Sequence, residues 1–175
     1  MIRKSLTLCL PILLAACAAP APRVDVPDNL KPPAGETLQS VLAAKGVQIY
    51  ECRAKKDQPT GTEWVFVAPE AELFDAGGKL VGKHYAGPHW EAADGSKIVG
   101  SVKARADAPQ AGAIPWLLLA TKSVGPAGSF SKVTSIQRVS TVNGVAPASD
   151  GCTPATLGKV ARVGYSADYR LFAAQ

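Results

Sequence analysis

Hydrophobic residues along most of this chain recur with a period of two, the spacing of a β-strand with one buried face. Two apolar runs, residues 63–68 (EWVFVA) and 114–120 (IPWLLLA), instead predict strands that are covered on both faces. With 16 glycines and 14 prolines available for turns, the pattern predicts an all-β single domain, an antiparallel sandwich or small barrel of about nine strands. The cleanest alternation lies near the carboxyl terminus, where one face is formed by Val163, Tyr165, Ala167, Tyr169 and Leu171.

The start of this domain, which we place at residues 36–175, is ambiguous in the pattern. Leu38, Val41 and Leu42 fit one face of a helix, but the segment is short and ends at Gly46. A strand is the favoured interpretation of residues 36–45.

The stretch 82–100 (GKHYAGPHWEAADGSKIVG) predicts a hairpin and contains both histidines of the chain. A two-residue turn would place Glu91 opposite Ile98 on the apolar face. A three-residue loop at 93–95, with its glycine in the left-handed conformation, instead pairs Trp90 with Ile98 and Glu91 with Lys97. This register predicts that Trp90 belongs to the core and that Glu91 forms an exposed ion pair.

In the preceding hairpin, His84 is the residue with possible chemistry. A register with Leu73 opposite Leu80 places His84 on the inward, apolar face. An inward histidine is either satisfied by a nearby carbonyl or hydroxyl, or it contacts a ligand or transfers protons. His84 is therefore a weak catalytic candidate, and His84, Tyr85 and Trp90 are the candidate ligand-binding residues.

Other chemistry has little support in the sequence. His84 and His89 lack the spacing of two metal ligands on one strand face, so no metal is predicted. Glu91 and Asp94 could supply a carboxylate pair, but the turn leaves Asp94 in solvent with nothing to raise its pKa. Nucleotide-binding glycine loops, nucleophile elbows, zinc-protease motifs and EF-hand loops do not occur in the sequence, so no cofactor is expected.

The first residues resemble an export signal. A basic start and a short apolar stretch lead to Leu14-Ala-Ala-Cys17, which resembles the lipobox of bacterial lipoproteins. The pattern predicts a signal peptide at 1–16, acylation of Cys17, and a proline-rich tether at 17–35. Alanine at position 18 favours the outer membrane, facing the periplasm. If Cys17 is not acylated, the protein would be secreted.

Export changes the meaning of the remaining cysteines. Cys52 and Cys152 would both enter an oxidising compartment, where a structural disulfide is expected rather than two free or metal-binding thiols. The formal charge is +5, and removal of Arg3 and Lys4 with the signal leaves +3. No basic run suited to nucleic acid is present, so no nucleic-acid partner is expected.

Several segments resemble the domain of unknown function 3455 family. They are GVQIYECR (46–53), the pattern W.F..PEAEL.D..GK..G.HYAGP.WEA.DGS...G (64–100), AIPWLLL (113–119), IQR..T (136–141), a GC pair at 151–152 and YSADYRLF (165–172). The resemblance implies an exported single domain, strengthens the Cys52–Cys152 pairing and keeps His84 as a candidate, since it lies in the HYAGP block. It implies no reaction.

The sequence favours a binding protein over an enzyme. We expect a ligand-binding or envelope-structural role, with the membrane contacted through the N-terminal lipid and a small molecule or glycan as ligand. The alternative is a hydrolase that acts on an envelope glycan or ester through His84.

Overall fold

A computed structural model describes residues 24–175 of the chain. Eight antiparallel strands, each paired with its neighbour in sequence, form one sheet that closes when β1 pairs with β8. No helix in the described range is long and apolar enough to span a membrane. The strands are β1 (Glu36–Lys55), β2 (Gln58–Phe74), β3 (Leu80–Tyr85), β4 (His89–Ala92), β5 (Lys97–Ala106), β6 (Trp116–Ser123), β7 (Ser135–Asn143) and β8 (Val160–Ala174).

The all-β antiparallel fold is confirmed, and of the two predicted architectures the closed barrel is the one observed. The described residues form eight strands, where the sequence predicted about nine. Strand β1 alone spans 20 residues and includes the ambiguous segment 36–45, for which the strand interpretation is correct. Short 3₁₀ helices at Asp28–Leu30, Ser149–Gly151 and Pro154–Thr156 are the other regular elements of the described range.

One end of the barrel is filled by apolar side chains. In an up-and-down barrel, the starts of odd strands and the ends of even strands lie at the same end. Leu42, Leu73, Ile98 and Leu171 occupy such positions and are nearly inaccessible to solvent. The β6–β7 loop adds Phe130 to the same core cluster, so this end is packed shut.

The outer face of β6 is covered by the segment that precedes β1. Leu30 is fully buried against Trp116 and Leu118, and its carbonyl accepts a hydrogen bond from Gln137 Nε2 at 2.6 Å. This explains why the run 114–120 is apolar on both faces, as predicted. Residues 24–35 were predicted as part of an extended tether, whereas Val24, Val26 and Leu30 pack against the barrel.

The second apolar run, 63–68, is not covered on both faces. Phe66 and Val67 are 49% and 46% exposed, whereas Ala68 is buried. No segment of the described chain covers this part of β2 as residues 24–30 cover β6. The expectation of a doubly covered strand was wrong here.

The two hairpin registers had different outcomes. Trp90 pairs with Ile98 and Glu91 with Lys97, which confirms the three-residue loop at 93–95. The predicted pairing of Leu73 with Leu80 is wrong: Leu80 pairs with Phe74, and a register shift between Leu73 and Phe74 then pairs Leu73 with Gly82. Leu80 is consequently 50% exposed rather than inward.

The predicted Cys52–Cys152 disulfide is present. It joins β1 to the long β7–β8 loop, whose Gly158 N–H donates to the Cys52 carbonyl at 2.9 Å. Trp64 Nε1 holds the same loop by donating to the Ala148 carbonyl at 3.1 Å. The bond therefore fixes a loop at the end of the barrel opposite the packed end.

Candidate functional site

A cavity of about 130 Å³ lies in the barrel interior, toward the end that the apolar cluster does not fill. Eight-stranded barrels are just wide enough for side chains to fill the interior or for one small ligand to occupy it. Phe66 and Val102 line the cavity while being 49% and 55% exposed, so they mark its mouth. The other lining residues are Gln48, Pro69, His84, Pro88, Trp90, Leu117, Leu119, Arg138 and Tyr169.

His84 forms part of the wall of this cavity and is 3% exposed. Its ring stacks on Trp90, with centroids 4.1 Å apart, and meets the edge of Tyr169 at 5.2 Å. Strand pairing places His84 directly opposite Trp90, so two adjacent strands present the stacked rings to the interior.

The His84 imidazole is held neutral. Burial lowers its pKa to about 3, and the hydrogen bond to the His89 carbonyl offsets only part of that effect. The bond joins Nδ1 to the carbonyl oxygen at 2.8 Å. A carbonyl only accepts, so Nδ1 carries the hydrogen and Nε2 has a free lone pair.

Two side chains that line the cavity each carry a buried donor with no hydrogen-bond partner. These donors are Gln48 Nε2 and Trp90 Nε1. The two residues are 3% and 1% exposed. Gln48 lies close enough to the Tyr165 hydroxyl to favour its ionised form, but Nε2 makes no hydrogen bond of acceptable geometry. An unmade hydrogen bond at a buried group costs about 1–3 kcal/mol, so such groups are uncommon away from functional sites.

Arg138 brings a positive charge to the cavity wall. It lies two residues after Ile136, a core residue, and therefore points to the interior side of β7. Its Nε and Nη2 both donate to the Pro115 carbonyl, at 3.1 and 2.8 Å. Within residues 24–175 it forms no salt bridge, and none of the lining residues is Asp or Glu.

Two tyrosines extend the polar wall. The hydroxyls of Tyr165 and Tyr169 lie 3.3 Å apart, and burial raises the pKa of both. The Arg138 charge opposes that shift in each case, which shows that the guanidinium faces them. Both hydroxyls therefore stay protonated and can donate.

The structure brings together two of the three predicted ligand-binding residues. His84 and Trp90 meet in the interior, whereas Tyr85 lies on the outer face and donates to Glu91 Oε2 at 2.5 Å. That bond is the main reason why the pKa of Tyr85 is raised to about 12. Glu91 also lies 3.2 Å from Lys83 and 3.9 Å from Lys97, so the predicted pair with Lys97 is part of a surface cluster.

Sequence reasoning missed the polar residues of the interior. Gln48 and Arg138 lie on strands whose alternate positions are apolar, and a polar residue at an inward position was the available signal. The predicted signal peptide and the predicted acylation site Cys17 lie outside the described residues.

The sequence was also compared with known proteins. The profile of the family described as "Protein of unknown function (DUF3455)" matches residues 33–173. Neither a curated protein nor a solved structure gives a significant match. The matched range covers the whole barrel apart from the last residue of β8, including every residue of the cavity wall. The chain therefore belongs to the DUF3455 family of proteins of unknown function.

Proposed function

We propose that this protein binds a small organic molecule in the barrel interior. The observation that carries the proposal is an interior cavity lined by two side chains that each carry an unpartnered buried donor, Gln48 Nε2 and Trp90 Nε1. Groups left unpaired in the free protein are satisfied when a ligand with acceptor atoms enters. The exposed apolar residues at the mouth provide an entry route.

The hydrolase alternative has less support. His84 bonds to a backbone carbonyl and is otherwise surrounded by aromatic rings, and in the described residues no serine, threonine, cysteine or carboxylate side chain hydrogen-bonds to it. A histidine that activates a nucleophile needs that nucleophile within hydrogen-bond reach. Its low pKa also makes it a poor base near neutral pH.

We further propose that binding takes place at the cell envelope, with the chain anchored through an acylated Cys17. The motif Leu14-Ala-Ala-Cys17 supports this, and a structural disulfide fits an exported protein. Mass spectrometry of protein purified from its host membrane should find an acylated Cys17 at the amino terminus. A mature chain that starts after residue 17, or an unmodified Cys17, would contradict the anchor and leave the binding proposal intact.

Nuclear magnetic resonance with a set of small organic molecules tests the binding proposal. Compounds of four to eight carbons, both neutral and charged, should include some that shift the Trp90 indole N–H resonance in the wild-type protein. Val102→Trp narrows the mouth and should weaken those shifts. Val67→Trp is the matched control, because Val67 is similarly exposed but does not line the cavity.

Two results would count against interior binding. One is a full set of compounds that leaves the Trp90 resonance unchanged. The other is equal loss of the shifts in Val67→Trp and Val102→Trp, which would place the binding elsewhere.

A further inference from the structure

We infer that the ligand is an amphiphilic carboxylate, whose head group binds Arg138 and whose apolar part lies toward Phe66 and Val102. The inference rests on the proposed function, since it names the chemical class that the same cavity would take. Charge, donor content and size of the cavity support it separately.

Arg138 is the charged residue of the cavity wall. Its side chain is partly buried, and within the described residues no carboxylate pairs with it. Two of its N–H groups share the Pro115 oxygen and another approaches the Tyr169 hydroxyl, which leaves two of the five N–H donors of a guanidinium for a ligand. A charge withdrawn from water without a counterion is costly, and its planar fork matches a carboxylate.

The charge of Arg138 is not offset by its neighbours. It affects the pKa values of His84, Tyr50, Tyr165 and Tyr169, so these are the titratable groups that it faces. All four are neutral near pH 7, because burial lowers the histidine pKa and raises the tyrosine pKa values. The cavity therefore carries a net positive charge when empty.

The uncharged groups favour the same kind of ligand. Both unpartnered atoms of the lining side chains, Gln48 Nε2 and Trp90 Nε1, are N–H donors. The Tyr169 hydroxyl is a further donor that lines the cavity. The neutral His84 Nε2 is an acceptor on the same wall, but the donors outnumber it, so a ligand head that only accepts hydrogen bonds, as a carboxylate does, complements most of this set.

Size and polarity define the rest of the ligand. A cavity of about 150 Å³ in a protein core can hold benzene, so the 130 Å³ here suits a head group and a few carbons. Leu117 and Leu119 supply apolar wall beyond the polar group, and Phe66 and Val102 continue it to the surface. A longer chain would leave through that apolar mouth.

Calorimetric titration of the full mature protein with three eight-carbon compounds tests the inference. Octanoate should bind about 10- to 100-fold more tightly than octanol or octylamine, the range expected for a charge-assisted hydrogen-bonded pair. Arg138→Met should remove that preference while octanol binding stays within about threefold, since octanol does not use the charge. Retained octanol binding also shows that the variant is folded.

Two further variants complete the test. Arg138→Lys keeps the charge without the planar fork and should keep a reduced preference for octanoate. Arg162→Gln is the matched control, because Arg162 pairs with Glu70 on the outer surface, and it should bind octanoate like wild type.

Equal binding of octanoate and octanol by the wild type would overturn the inference, as would tighter binding of octylamine. Either result would leave the proposed interior site standing. If none of the three compounds binds and the Trp90 resonance is also insensitive to the wider compound set, the proposed function itself fails.

Discussion

His84 should couple the stability of the barrel to pH. Its pKa in the folded protein is about 3, compared with 6.5 in an unfolded chain. Above pH 6.5 the ring is neutral in both states, so it makes no proton-linked contribution. Between pH 6.5 and 3 the unfolded chain binds a proton that the folded protein does not, and acidification therefore favours unfolding.

The size of the effect follows from the two pKa values. Once the pH is well below 6.5, each further pH unit lowers the free energy of unfolding by about 1.4 kcal/mol, so the fall from pH 7.5 to 4.5 should be about 2.5 kcal/mol. The range stops at 4.5 because Glu91 and Asp94 also have lowered pKa values in the fold. These two carboxylates stabilise the fold at pH values above their unfolded pKa, and that stabilisation is lost as the pH falls below it.

Urea unfolding followed by tryptophan fluorescence at several pH values measures this effect. His84→Phe keeps a ring against Trp90, and His84→Asn keeps a donor for the His89 carbonyl. Both variants should start less stable than wild type, but their free energies should change by less than about 0.5 kcal/mol between pH 7.5 and 4.5. The control His89→Gln should keep the wild-type slope. A wild-type slope in the His84 variants, or a flat wild-type curve, would refute the coupling.

Three further changes test the packing. Trp90→Ala should lower the free energy of unfolding by about 3–5 kcal/mol through a core cavity, and a loss no larger than that of the surface variant Glu91→Ala would contradict its interior position. Cys52→Ser should cost about 2–5 kcal/mol by removing the disulfide, and thiol labelling of native wild-type protein should detect no free Cys52 or Cys152. Leu30→Ala should cost about 2–5 kcal/mol in urea unfolding, whereas an unchanged midpoint would mean that residues 24–30 do not stabilise the barrel.

Local chemistry made the 93–95 loop predictable from sequence. Gly95 takes the left-handed conformation that such a loop requires, with φ of 84°. Asp94 adds support that the sequence alone did not reveal, since its carboxylate accepts hydrogen bonds from Ser96 and from Ser129. Once the loop length was set, strand alternation correctly placed Trp90 inside.

The β2–β3 hairpin shows where the same reasoning stops. The Asp75 N–H donates to the Lys79 carbonyl, so Phe74 pairs with Leu80 and the turn already departs from the predicted register by one residue. The register then shifts by one residue between Leu73 and Phe74. A bulge inserts an unpaired residue without changing the hydrophobic pattern. Alternation could therefore locate His84 on the inner face and still give Leu80 the wrong side.

The cavity was harder to predict than either hairpin because barrel closure assembles it. Gln48 lies on β1, Trp90 on β4 and Arg138 on β7, separated by 42 and 48 positions in the sequence. Only the pairing of β1 with β8 makes these strands walls of one interior. As long as sandwich and barrel stayed equal alternatives, no spacing rule could bring these three side chains together.

The unpaired polar atoms also distinguish the cavity from ordinary imperfect packing. Four buried side-chain atoms of the described residues lack partners, and two of them, Trp116 Nε1 and Gln137 Oε1, lie on the outer face of neighbouring strands. Trp116 Nε1 is a donor and Gln137 Oε1 is an acceptor, so the outer pair has no excess of either type. The two on side chains that line the cavity are both donors, and the nearby charge is positive. Two donors beside a positive charge are what the proposed carboxylate head group needs, and the pair on the outer face shows no such bias.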